Sequence, residues 1–204
     1  MKKNVVPYTK ARDQLPTFTI INCEHKDLFW RLIGHTAILY KCPLTGQLSV
    51  FESTTLNKFT GKSGVQLTPF GTWLAHYPGK VFARVPKFGD SGEEAGIERQ
   101  VMAEMFIKQY IGTSYPDLKT WSGRLKLALS ALDFRLFGRD WLTYKGDDEG
   151  IFCTMLVAMI LQDCKMLNFV KHAKEFEPDD TRGDNDLFEL CLINMVYQDE
   201  IRLK

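Results

Sequence analysis

The sequence predicts an α+β fold, on three observations. Short segments rich in β-branched and aromatic residues, divided by Pro and Gly, crowd residues 17–86. Helical spacing of apolar residues takes over from residue 93. Residues 151–161 are apolar at every position except Thr154, and a helix apolar all round belongs in a core. The expected architecture is an antiparallel sheet of about five strands packed on that buried helix. A single domain over 1–204 is expected: mainly strands in 16–86, a helical insertion in 93–138, and the buried helix in 151–164.

Element by element, residues 1–15 are polar, contain Pro7 and read as an arm with little structure of its own. Strands are expected at 17–22, 35–40 and 47–52, with Pro43 to Gly46 turning between the last two. Further strands fall at 65–68 and 80–85, punctuated by Pro69, Gly71, Pro78 and Gly79. Ile97, Val101, Met105 and Phe106 give 93–110 a helical period that stops at Gly112. Leu125, Leu129, Leu132 and Leu136 do the same for 122–137, an amphipathic helix expected to pack on the core. Residues 174–186 read as a solvated polar loop and 187–197 as a last helix or strand.

The 26 basic and 25 acidic side chains nearly cancel, which argues against a large nucleic-acid footprint. No apolar run approaches the roughly 20 residues that cross a bilayer. The basic start of the chain lacks the apolar segment of a secretory signal. Five cysteines without a C-x-x-C pair fit reduced thiols and a cytoplasmic location.

The residue with the strongest chemical promise is Cys153. Glycines and acidic residues at 146–150 suggest a sharp turn that delivers it to the first turn of the buried helix, where unpaired N–H groups favour thiolate over thiol. A lone Cys on an apolar helix is more often packing than chemistry. A nucleophile also needs a base, and a third polar group to orient that base. His25 lies in an ambiguous segment, His76 in a loop, and His172 among charged residues on an exposed stretch. His35 alone opens an apolar strand, and Glu52 sits at the matching end of its neighbour. In that hairpin, positions near Ala37 face positions near Val50, which makes His35 and Glu52 near neighbours.

Other patterns are weaker. Gly61-Lys62-Ser63 lacks the earlier glycine of a phosphate-binding loop, since position 56 is Leu. Arg182-Gly183-Asp184 lies in an acidic loop without the ligand order of a calcium site. Cys23, His25, His35 and Cys42 match no familiar zinc spacing. Neither a metal nor another cofactor is expected.

The order His, acid, Cys on strand, strand and helix resembles the circularly permuted papain-like hydrolases of the NlpC superfamily. The YiiX-like branch is nearest, and the lecithin:retinol acyltransferase group is more distant kin. The matching pieces are Gly34-His35-Thr36-Ala37-Ile38-Leu39, Val50-Phe51-Glu52-Ser53, Gly64-Val65-Gln66-Leu67, Tyr110-Ile111-Gly112-Thr113-Ser114-Tyr115, and residues 151–158 around Cys153. Two departures are Thr154 after the Cys, where Ser is common, and the lack of a Gly-Asp pair opening the first strand.

The resemblance implies a permuted papain-like fold with His35 as base, Glu52 orienting it and Cys153 as nucleophile. It also implies that Tyr115 approaches the site as a substrate-binding or oxyanion group. The implied activity is a cysteine peptidase or amidase that cleaves peptides or cell-wall peptides through a thioester. The alternatives are a thiol-dependent ester or lipid acyl hydrolase or acyltransferase, and a non-catalytic binding protein on the same fold.

Overall fold

The computed structural model describes residues 5–28, 31, 34–55, 60–89, 93–115, 151–170, 172–173, 176, 180–182 and 186–204. The helix expected at 122–137 and the turn at 146–150 lie outside the described residues. In chain order the elements are α1 (Tyr8–Ala11), running into a 3-10 turn (Arg12–Gln14), then β1 (Ile20–Glu24), β2 (His35–Lys41), β3 (Leu48–Thr54) and β4 (Gly64–Pro69). They continue with α2 (Phe70–His76), β5 (Lys80–Arg84), β6 (Pro86–Phe88), α3 (Glu93–Tyr110), α4 (Cys153–Asp163), α5 (Asp186–Leu190), β7 (Met195–Tyr197) and β8 (Ile201–Arg202).

Six strands form one sheet in the order β4-β3-β2-β1-β5-β8, with every neighbour antiparallel. The α+β class holds, and the sheet has one strand more than expected. β8 is two residues long, too short to show an alternating pattern. A separate ladder pairs β6 with β7.

Every interior position of β2 and β3 is buried, so both faces of the sheet are covered. That is why these strands read as continuous apolar runs. Successive residues point to opposite sides. Ile20, Ile38, Phe51 and Val65 join the core formed with Leu156, Val157, Ile160 and Leu161 of α4 and with Phe106 of α3. Ile21, Ala37, Leu39 and Val50 join a second core with Phe70, Trp73 and Leu74 of α2. A fully buried side chain of this size contributes roughly 1.5–3 kcal/mol. That burial holds α2, since seven residues are too few for a helix stable on its own.

Two expectations are corrected here. The described part of the amino-terminal arm is structured: Ala11 and Leu15 sit in the second core, and the Val6 N–H donates to the Arg202 carbonyl at 2.8 Å. The β2–β3 hairpin, whose exact register the sequence left open, pairs Leu39 with Val50 and Ile38 with Phe51. Carried on, this register sets Glu52 across from Ala37 and diagonal to His35. The polar stretch 174–186 is not wholly solvated either, because Asp180 and Thr181 are buried. Buried polar groups need partners. The Thr181 carbonyl accepts from Asn22 Nδ2 at 3.0 Å and from Arg84 at 2.9 Å. The stretch 187–197 contains both a helix end and a strand, in α5 and β7.

Candidate active site

The seat of Cys153 is built by the chain that precedes it. The Ile151 N–H donates to the Ser114 carbonyl at 3.2 Å, and the Ser53 hydroxyl of β3 donates to the Ile151 carbonyl. The 112–114 segment is itself clamped to β4, with Val65 N–H on the Thr113 carbonyl and Gly112 N–H on the Val65 carbonyl, both at 2.8 Å. Gly64 permits this approach. Its φ is +99°, and a Cβ there would fall 2.4 Å from the Thr113 oxygen.

Phe152 is then extended (φ −75°, ψ 161°) and Cys153 becomes the first helical residue. Among the described residues no side chain caps this end. The first-turn N–H groups therefore present the positive end of the helix dipole around the sulfur. At its other end α4 closes with Lys165 in the left-handed region. There Lys165 N–H bonds to Gln162 O and Met166 N–H to Leu161 O, which satisfies the last carbonyls.

His35, at the first position of β2, meets both other candidates. Its Nε2 lies 2.8 Å from Glu52 Oε2, and the ring and the Cys153 sulfur are near enough to act on each other's protonation. The Thr36 backbone N–H acts on the sulfur too, and Thr154 Oγ1 lies 3.8 Å from it. Cys153 is 6% exposed and the His35 side chain 17%, so the sulfur is buried and the imidazole is mostly covered.

The electrostatics favour a charge pair. Burial pushes the Cys153 thiol up, but hydrogen bonds from His35 and Thr36, with the positive imidazolium, outweigh it and hold the thiol below its ordinary value. Burial likewise disfavours a charged His35. The hydrogen bonds to Cys153 and Glu52, and their negative charge, prevail and push the imidazole up to about 10.

Of the remaining histidines, His25 packs edge to face on Tyr77, with ring centroids 6.3 Å apart, and its Nδ1 accepts from the Asp27 N–H at 3.0 Å. His76 ends α2 rather than lying in a loop, and its Nδ1 donates to the Thr72 carbonyl at 2.8 Å. His172 is exposed. Tyr115 packs edge to face on Phe152, with ring centroids 5.5 Å apart, at the entry of α4. Cys23 pairs with His35 across β1 and β2, whereas Cys42 lies beyond the far end of β2, about 20 Å away at strand rise. The four residues weighed as zinc ligands are therefore not gathered.

Two residues of the site escaped the sequence reading, Trp73 and Tyr77, and Cys23, weighed there only as a zinc ligand, lies beside them. Trp73 Nε1–H donates to Glu52 Oε1 at 2.9 Å. Tyr77 lies nearly parallel to the His35 ring, and Cys23 and Tyr77 act on each other's protonation. Phe70, Trp73, Leu74 and Tyr77 follow the i, i+3, i+4, i+7 spacing of a helix face, a signal the flanking Pro and Gly residues obscured. No protein-family model matches the chain, and no curated protein matches it either.

Proposed function

We propose that the chain is a cysteine hydrolase of the permuted papain-like kind, with Cys153 as nucleophile, His35 as base and Glu52 orienting the base. The observation that carries this reading is that the His35 imidazole, bonded to the Glu52 carboxylate at 2.8 Å, also acts on the Cys153 sulfur at the start of a buried helix and holds its thiol low. The order of these residues along the chain, on strand, strand and helix, supports the same reading.

In the proposed reaction the Cys153 thiolate attacks a substrate carbonyl carbon. A C–S bond forms and the carbonyl π pair moves onto oxygen. The first-turn N–H groups stabilise this oxyanion. Its collapse restores the carbonyl and breaks the bond to the leaving nitrogen, which takes the proton held by His35. Neutral His35 then removes a proton from water. The resulting hydroxide attacks the thioester, and the acid departs as the Cys153 thiolate is restored. The proposed substrates are amide bonds of peptides or cell-wall peptides. All five cysteines are free, which suits a reducing, cytoplasmic setting.

The test is adduct mapping by mass on the purified protein after exposure to peptidyl and acyl electrophiles. The expected result is a single peptidyl adduct on Cys153 that disappears in His35→Ala. An absent adduct, or one indifferent to His35, would overturn the reading.

A further inference from the structure

We propose that Trp73 is a positioning residue of this centre, its indole N–H locking the Glu52 carboxylate in the plane from which Glu52 orients His35. The inference rests on the proposed roles of Cys153, His35 and Glu52. The terminal torsion of a glutamate is soft and broad, so a carboxylate gripped at one oxygen still turns. Here both oxygens are engaged: Oε2 by His35 Nε2 at 2.8 Å, and Oε1 by Trp73 Nε1–H at 2.9 Å. Rotation of the carboxylate breaks both bonds together.

The indole cannot follow such a rotation. Trp73 is 5% exposed and stacks between Phe70, at 6.0 Å and 25°, and Tyr77, at 4.9 Å and 27°. Tyr77 in turn faces the His35 ring at 6.5 Å, with 13° between the planes. The aromatic face of α2 and the residue after it thus end on the imidazole from one side, while α4 brings sulfur from the other. A buried indole N–H requires an acceptor. A Phe in this slot would fill the same core without one. The acceptor here is the one carboxylate that also holds His35. Among the described residues, the other titratable groups about the centre are Cys23 of β1, Tyr77, His25, which packs on Tyr77, and Arg182, whose charge acts on Cys23. None of them is altered by the test.

The test is the rate of iodoacetamide alkylation at Cys153 as a function of pH, read peptide by peptide, in wild type, Trp73→Phe, Glu52→Gln and the double variant. In Trp73→Phe the acid limb moves up by about one pH unit, a roughly tenfold slower reaction below it. In the Glu52→Gln background the same change adds nothing, because Trp73 acts through Glu52. Should Trp73→Phe fail to fold, benzothienylalanine at position 73 keeps the shape of the indole, lacks its N–H and gives the same shift. A merely structural tryptophan would lower stability and leave the limb in place, and that result overturns the proposal. An additive shift in the double variant overturns it too. An unactivated Cys153 in wild type would instead defeat the underlying reading, so the two failures are distinct.

Discussion

Two buried thiols stand at the end of the sheet where β2 begins, and their surroundings drive them in opposite directions. Cys23 at the end of β1 is 1% exposed, and Cys153 at the start of α4 is 6% exposed. Burial raises both. For Cys23 the nearby Glu52 carboxylate adds to that rise, and the thiol is pushed well above its ordinary value despite a bond to Tyr77. For Cys153 the His35 ring and the Thr36 N–H reverse it. Depth therefore does not decide which way a buried thiol is shifted. What decides it is whether donors converge on the sulfur. α4 supplies such a convergence because its first residue meets the first two residues of β2.

The sharpest way to break this contrast is Cys153→Ala. Hydrolysis by the proposed centre should fall by about four orders of magnitude or more, measured as initial rate on a peptide substrate, while Cys23→Ala keeps the rate. His35→Ala comes next. Alkylation of Cys153 near neutral pH should slow by roughly a hundredfold, toward the behaviour of Cys23, because the counter-charge and hydrogen bond both vanish.

Glu52→Gln should act in the same direction with less force. Loss of a charged partner weakens the imidazolium and lifts the acid limb of Cys153 alkylation by about one to two pH units. Cys23→Ala is the smallest change, within about threefold in rate, at the cost of about 1 kcal/mol of stability read by thermal melting. Cys42, lowered by hydrogen bonds from Thr45 and half-exposed, will also be alkylated. Cys164, pushed up to about 12 by burial, should lag.

The candidate site was legible where chemistry and period coincide. His35 is the one histidine that opens an apolar strand, and Cys153 leads a helix whose residues 153–161 are apolar except Thr154. The strands of the sheet centre were legible for the same reason, since burial on both faces leaves uninterrupted apolar runs. α2 was not. Pro69, Gly71, Pro78 and Gly79 mark it as punctuation, and its helix exists through the burial of Phe70, Trp73 and Leu74, a tertiary effect that local propensity does not carry. Trp73 and Tyr77 went unseen with it.

The exact hairpin register was not legible, because apolar alternation defines a face but not an offset along it. Asp180 and Thr181 look like loop chemistry by composition but are buried, and the Thr181 hydroxyl donates to Asn22, 159 residues away in sequence.

The most direct test of the central claim is an NMR titration of the His35 ring in wild type and in Cys153→Ala. A raised imidazole keeps its proton as pH climbs through the ordinary histidine range and releases it near 10. The ring signals of His35 should therefore stay those of imidazolium from below pH 6.5 to well above 9, and should titrate lower once the sulfur is removed. A His35 that titrates near 6.5 in both proteins would mean that no charge pair joins the strand to the helix.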